Sequence, residues 1–326
     1  MKNERIKKIL KKQHYGIVGN HSAVQICRWT KKSIRNEGVC YKEKFYGIKS
    51  HRCCQMSPAV MWCDNKCLHC WRAIEETIGD EIKGEIDSPK EIIESCIKAQ
   101  RKLLIGFKRG ETKNLSKADM KKWGEAQEPM QFAISLSGEP TIYPYIAELI
   151  LELKKRGKTS FLVTNGLHPE KLEEIINKKQ FPTQLYISVN ASNKELYNKI
   201  HRSSKTNAWE LLNKSLSLMK KFPRSVFRIN LVKELNMSEK DVLEYAKMIK
   251  KYKPLFTEVK GYMAVGFARE RLRYERMPTY EEMGTFSEKL VLELGKNWKI
   301  LDSHEYSRVF VLGKDRKKLK IKEIKD

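Results

Sequence analysis

A chain of 326 residues with 40% hydrophobic side chains can bury a substantial core and fits one α/β barrel with appendages. No apolar run reaches about eighteen residues, and the basic start lacks an apolar stretch, which excludes a spanning helix and a secretory signal and points to a soluble cytoplasmic protein. Lys and Arg number 65 against 40 Asp and Glu, a formal charge of +25. That is too lopsided for the solvated charge of a heat-adapted chain alone, and nucleic acid is the first partner to expect.

Residues 1–52 read as an extension. A basic, helix-like segment carries Lys7, Lys8, Lys11 and Lys12; Cys27, Cys40 and Cys53 follow with twelve residues in each gap. Loops can gather such thiols, or leave them as spare buried groups. Cys54 is an alternative to Cys53. Between them, C-Y-K-E-K-F-Y-G (40–47) sets Lys42 and Lys44 among aromatics, where a partly desolvated lysine becomes a nucleophilic amine. Taken alone, two surface lysines are the simpler reading.

Cys63, Cys67 and Cys70 then stand in a C-x3-C-x2-C spacing. A closed zinc site wants four ligands, usually two separated pairs, and an electron-transfer cluster wants four thiolates. Three thiolates suit a cubane cluster with one iron left open to a small chelating molecule, and the upstream thiols could hold a second. On spacing alone, a zinc-stabilised RNA-binding protein and an electron carrier remain open. Seven of the eight cysteines precede residue 71, which in a cytosolic chain reads as metal binding rather than disulfides.

From residue 53 to 312 the pattern alternates strands and helices. Ser88 to Glu91 is a capping box with Pro89 inside it, opening a helix whose face includes Ile92, Ile93, Ile97 and a core thiol, Cys96. Residues 108–128 form a charged insertion with a short helix. Strands are expected at 131–136, 160–164, 184–189, 225–232 and 257–263, and helices at 144–156, 169–178, 238–251 and 279–294. A further capping box is expected from Ser192 to Glu195, with two helical stretches running to 221. Residues 308–312 read as an edge strand, and the basic tail 313–326 as disordered. With a strand before Cys63 there are six βα units, fewer than a full eightfold barrel has. Chemistry sits at the carboxyl ends of such strands. That gathers the cysteine loop, Gly138, Glu139, Asn165, Ser188, Asn190 and Lys260 around one mouth. Arg269, Arg271 and Arg273 follow the sixth strand, placed either to meet phosphates together with the basic start or to form a solvated face.

Cys63, Cys67 and Cys70, followed by S-L-S-G-E-P-T (135–141), resemble the radical S-adenosylmethionine enzymes. Adding the upstream cysteines, C-Y-K-E-K-F-Y-G-I, C-W-R, Q-L-Y-I-S and G-Y-M-A-V-G, the chain is similar to the archaeal-type tRNA 4-demethylwyosine synthases over roughly residues 10–312. The resemblance implies an incomplete (βα)6 radical S-adenosylmethionine barrel of TIM type with a cysteine-rich N-terminal extension. It implies that Cys63, Cys67 and Cys70 hold one [4Fe-4S] cluster and Cys27, Cys40 and Cys53 another. Gly138, Glu139 and Pro140 match the motif that receives S-adenosylmethionine, with Asn165, Ser188, Asn190 and His69 around it. Lys42 matches a lysine that forms a Schiff base with pyruvate. The implied reaction joins two carbons of pyruvate to N1-methylguanosine, just 3′ of the anticodon in phenylalanine tRNA, through a 5′-deoxyadenosyl radical. His69 stands where the family often has an aromatic hydrocarbon, and Asn190 where an acid is common. Nothing in these residues resembles the flavodoxin module of larger relatives, which implies a separate electron-donor protein.

Overall fold

The computed structural model describes residues 4–107 and 118–322, so the expected insertion lies partly outside the described residues. The chain opens with α1 (Glu4–Lys12), the strands β1 (Gly16–Val18) and β2 (Ser22–Gln25), α2 (Arg28–Ile34) and α3 (Tyr41–Tyr46). β3 (Cys53–Ser57) and α4 (Pro89–Leu104) follow, then α5 (Met120–Ala126), β4 (Gln131–Ile134), α6 (Ile146–Lys155), β5 (Thr159–Thr164) and α7 (Pro169–Asn177). Next come β6 (Gln184–Ser188), α8 (Lys194–His201), α9 (Ala208–Leu218), β7 (Ser225–Leu231), α10 (Glu239–Tyr252) and β8 (Phe256–Gly261). The chain ends with α11 (Ala268–Arg271), α12 (Tyr280–Leu294), β9 (Lys299–His304) and β10 (Val309–Gly313).

The ten strands among the described residues form one unclosed sheet in the order β1-β2-β3-β4-β5-β6-β7-β8-β10-β9. β3 to β8 are six parallel neighbours, as six βα units require. One face of these strands, with Phe132, Ile134, Leu162, Leu185 and Ile187, packs on the surrounding helices in the main core. Phe161, Tyr186, Val226 and Phe256 face inward onto Tyr41, Phe45 and Tyr46, so α3 fills the lumen toward the amino ends of the strands. Because both faces are covered, the strands read as nearly continuous apolar runs.

The capping boxes at Ser88/Glu91 and Ser238/Asp241 form as expected. The box at Ser192 does not. Asn193 caps α8 instead, because the Ser192 hydroxyl donates to Asp241 at 2.6 Å. The strand at 308–312 is not an edge: β10 lies between β8 and β9, and β9 forms the edge. The tail is not disordered over its described part. Leu319 and Ile321 are buried beneath α3, Ile321 N–H donates to the Tyr46 carbonyl at 3.1 Å, and Arg224 donates to the carbonyls of Lys318 and Leu319. Among the described residues no helix is long and apolar enough to cross a membrane.

Candidate active site

Cys63, Cys67 and Cys70 occupy the loop that leaves β3, and its backbone is pinned from three sides. Lys66 and Leu68 N–H donate to the carbonyls of His201 and Ile200 at the end of α8, both at 2.9 Å. After β4, Glu139 N–H donates to the Trp62 carbonyl at 2.7 Å. Gly138 has φ +72°, and a Cβ there would lie 2.0 Å from the Ala59 carbonyl oxygen, so only glycine permits this approach. After β8, the Arg271 guanidinium donates to the carbonyls of Leu68 at 3.3 Å, of Arg72 at 3.2 Å and of Cys70.

Burial pushes the Cys63 thiol up to about 12 and the Cys67 thiol well above its ordinary value. Such thiols ionise when a metal takes the sulfur lone pair, and a fixed cation favours the thiolate. Arg72 is that cation. It is 3% exposed, its charge reaches all three sulfurs, and it is anchored on the Asn65 carbonyl at 2.9 Å and the Thr77 hydroxyl at 3.1 Å. Among the described residues no three His, Cys, Asp or Glu side chains converge as a single ion would require. Three thiolates on one loop around a shared cation suit the irons of a cubane, whereas a structural zinc wants a fourth protein ligand.

Glu139 is buried and fully occupied. One carboxylate oxygen accepts from Thr141 N–H (3.0 Å) and from the hydroxyls of Thr141 (2.6 Å) and Thr164 (2.7 Å); the other accepts from Asn165 N–H (2.7 Å). Burial raises its pKa, against those hydrogen bonds. Glu139 therefore ties the loop after β4 to that after β5, while Pro140 starts a short turn beyond it. Asp64, between two of the cysteines, makes a second tie. It accepts from His168 Nε2 and pairs with Lys205, each at 3.0 Å, and Asn165 reaches it at 3.4 Å. Burial opposes the Asp64 charge, but these partners hold its carboxyl below the usual range.

Asn190 follows β6 and is 5% exposed. Its side-chain oxygen accepts from Asn230 N–H at 3.1 Å, and its amide donates to His69 Nε2 at 3.2 Å and His201 Nε2 at 3.3 Å. Burial lowers the pKa of His69 to about 4 and of His201 to about 3, so both imidazoles are neutral. With Nε2 accepting, each carries its proton on Nδ1. His201 Nδ1 meets the Tyr197 carbonyl at 3.2 Å, whereas His69 Nδ1 is buried and has no partner among the described residues.

A cavity of about 240 Å³ opens beside these rings, lined by His69, Trp71, Ser188, Asn190, Arg228 and Lys260 among others. Deeper in the lumen, Lys42 is 7% exposed, with its ammonium 4.7 Å from the Phe161 ring centroid and 5.1 Å from that of Tyr186. Burial and then the charge of Arg228 lower its pKa. Cys27 and Cys40 stand at the N-caps of α2 and α3. Cys53 shares the electrostatic environment of Cys27, Cys40 and Lys42, while Cys54 packs in the main core with Cys96. The structure thus brings Cys27, Cys40 and Cys53 together with Lys42, and Cys63, Cys67 and Cys70 together around Arg72.

Residues 58–246 match the Radical SAM superfamily, and residues 251–314 match a family described as wyosine base formation. The S-adenosyl-L-methionine-dependent tRNA 4-demethylwyosine synthase of Pyrococcus abyssi is 46% identical, covering 96% of this chain and 89% of its own. The chain belongs to the tRNA 4-demethylwyosine synthases. The enzyme of that name from Methanocaldococcus jannaschii is 38% identical over 97% of this chain and 98% of its own. Among solved structures, TYW1 with a lysine-pyruvate adduct bound superposes with a TM-score of 0.84 at 35% identity, covering 99% of both chains. Archaeal TYW1 gives 0.77 at 32% identity, also over 99% of both. With membership of this radical family come S-adenosylmethionine and a [4Fe-4S] cluster.

One expectation within the family site needs correcting. Arg271 is not poised for phosphate with Arg269 and Arg273: it is committed to three carbonyls of the cysteine loop and to Glu75 at 3.3 Å. Sequence reasoning also missed Arg72, Asp64, His168, Arg228 and Glu258. Of these, only Arg72, two residues beyond the last cysteine, carried a signal in its spacing.

Proposed function

We propose that this protein condenses N1-methylguanosine, at the position 3′ of the anticodon in phenylalanine tRNA, with pyruvate to form 4-demethylwyosine in the cytoplasm. The observation that carries the reading is Lys42, a primary amine buried in the lumen of a fold that matches TYW1 bound to a lysine-pyruvate adduct. Cys63, Cys67 and Cys70 hold the cluster that binds S-adenosylmethionine; Cys27, Cys40 and Cys53 hold a second. When bound, the cluster and S-adenosylmethionine supply one-electron chemistry that takes a hydrogen atom from the substrate methyl group.

The chain's own residues do the positioning. Lys42 Nζ adds to the keto carbon of pyruvate, the keto oxygen leaves as water, and a C=N bond holds the two-carbon donor in the lumen. Gly138 and the Glu139 ties fix the loop after β4 against the cysteine loop. Pro140, Asn165, Ser188 and Asn190 shape the cofactor's side of the mouth, and His69 offers it a buried Nδ1–H. The target base reaches them by swinging out of its stack. A separate protein provides the electron.

Borohydride trapping with carbon-labelled pyruvate tests this reading. Label should fix on Lys42 in the wild type and not in Lys42→Arg, which keeps the charge but lacks a primary amine. Normal product formation by Lys42→Arg would overturn the imine.

A further inference from the structure

Within the lumen, three cations face one carboxylate. Lys42 Nζ and Arg228 Cζ lie 5.1 and 5.4 Å from the centroid of the same ring, Tyr186. Lys260 Nζ lies 5.0 Å from the centroid of Tyr41, whose hydroxyl accepts from Arg228 at 3.0 Å. Glu258 is fully buried and already engaged: Tyr46 donates to one oxygen at 2.6 Å, Tyr41 to the other at 3.3 Å, and Arg228 lies 3.7 Å away. Neither Lys42 nor Lys260 forms an ion pair among the described residues, and the Lys260 ammonium instead donates to the Ser307 carbonyl at 3.2 Å. With Lys42 as the neutral amine that attacks a ketone, Arg228 and Lys260 still share only the Glu258 carboxylate among these residues. Buried surplus charge is costly unless a ligand supplies its partner.

The strand register aims the surplus at the cavity. Arg228 pairs with Ser188 on β6 and with Glu258 on β8, and Asn230 pairs with Lys260, so Arg228 and Lys260 line the same cavity as His69 and Asn190. We propose that Arg228 and Lys260 form an anion seat for the carboxylate of the 2-oxo acid whose ketone reaches Lys42. This rests on the reading of Lys42 given above. A planar guanidinium matches a carboxylate in a forked geometry, a ketone bonded at Lys42 leaves its carboxylate one bond away, and Arg228 shares the Tyr186 ring with Lys42. The seat selects 2-oxo acids over neutral ketones and holds the carboxylate carbon in place until it is lost.

The test measures the pyruvate concentration giving half-maximal borohydride-dependent labelling of Lys42 in anaerobically purified, cluster-loaded protein. In Arg228→Gln and in Lys260→Gln that concentration should rise about 10- to 100-fold, as loss of a charge-assisted hydrogen bond implies. Pyruvamide, which keeps the ketone and lacks the charge, should label wild type poorly and be indifferent to either substitution. Should Arg228→Gln lose its iron or fail to fold, Lys260→Gln carries the test. Wild-type labelling with unchanged half-saturation in the variants overturns the seat alone. Variants that label normally but need more S-adenosylmethionine for its cleavage assign these cations to the methionyl carboxylate, which also overturns it. No labelling of wild type overturns the Lys42 reading, and the seat with it.

Discussion

Cys53 and Cys54 are neighbours in β3, yet their side chains serve opposite faces of the sheet. Cys53 lies with Cys27, Cys40 and Lys42, and Cys54 with Cys96 in the main core. Strand alternation alone produces the split. Reconstituted wild type should bind about eight irons, the content of two cubane clusters, and Cys53→Ala about half that. Cys54→Ala should keep the full complement and lose only packing stability. Equal iron loss in the two variants would contradict this assignment.

Arg271 and its neighbours should separate in their effects. Arg271→Ala removes donors from the Leu68, Cys70 and Arg72 carbonyls, so iron retention and S-adenosylmethionine cleavage should fall while the salt dependence of tRNA binding stays put. Arg269 and Arg273 are exposed beside the mouth. α1 also sits there, since Ile6 and Leu10 pack with Val60 and Met61 of the cysteine loop and leave Lys8, Lys11 and Lys12 outward. Replacing Arg269 and Arg273 with Ala should reduce the slope of log affinity against log salt by about 0.7 to 0.9 for each phosphate they neutralise. An unchanged slope would return both to a solvated face.

Asn190→Leu should be severe for a change at one side chain. It strips partners from Asn230 N–H and from the Nε2 atoms of His69 and His201, the first two part-buried and the last fully buried. Each stranded group costs about 1 to 3 kcal/mol, so urea denaturation should show a loss of about 3 kcal/mol or more. A loss below about 1 kcal/mol would mean that the network does not fix these rings.

The parts legible in the sequence were those written in local pattern. Apolar runs between caps such as Ser88/Glu91 and Ser238/Asp241 marked the six βα units, and the cysteine spacing marked the loop that leaves β3. β9 was missed because four of the six residues in K-I-L-D-S-H are polar, as an edge allows, and the β1–β2 hairpin because its strands are so short. The docked end was hidden by its lysines, although Leu319 and Ile321 alternate among them as a buried segment would. Long-range ties were out of reach. Nothing near Asp64 announces His168 and Lys205, and a charge pattern cannot distinguish an arginine that meets phosphate from Arg271, which holds carbonyls.

The most direct measurement is the mass of the modified nucleoside formed when the reduced protein, S-adenosylmethionine and tRNA bearing N1-methylguanosine are incubated with pyruvate carrying heavy carbon. Pyruvate labelled at its keto and methyl carbons should convert N1-methylguanosine to a product heavier by both labelled carbons. Pyruvate labelled only in its carboxylate should give unlabelled product. Cleavage of S-adenosylmethionine with N1-methylguanosine left intact, or a product that retains the carboxylate label, would contradict the account.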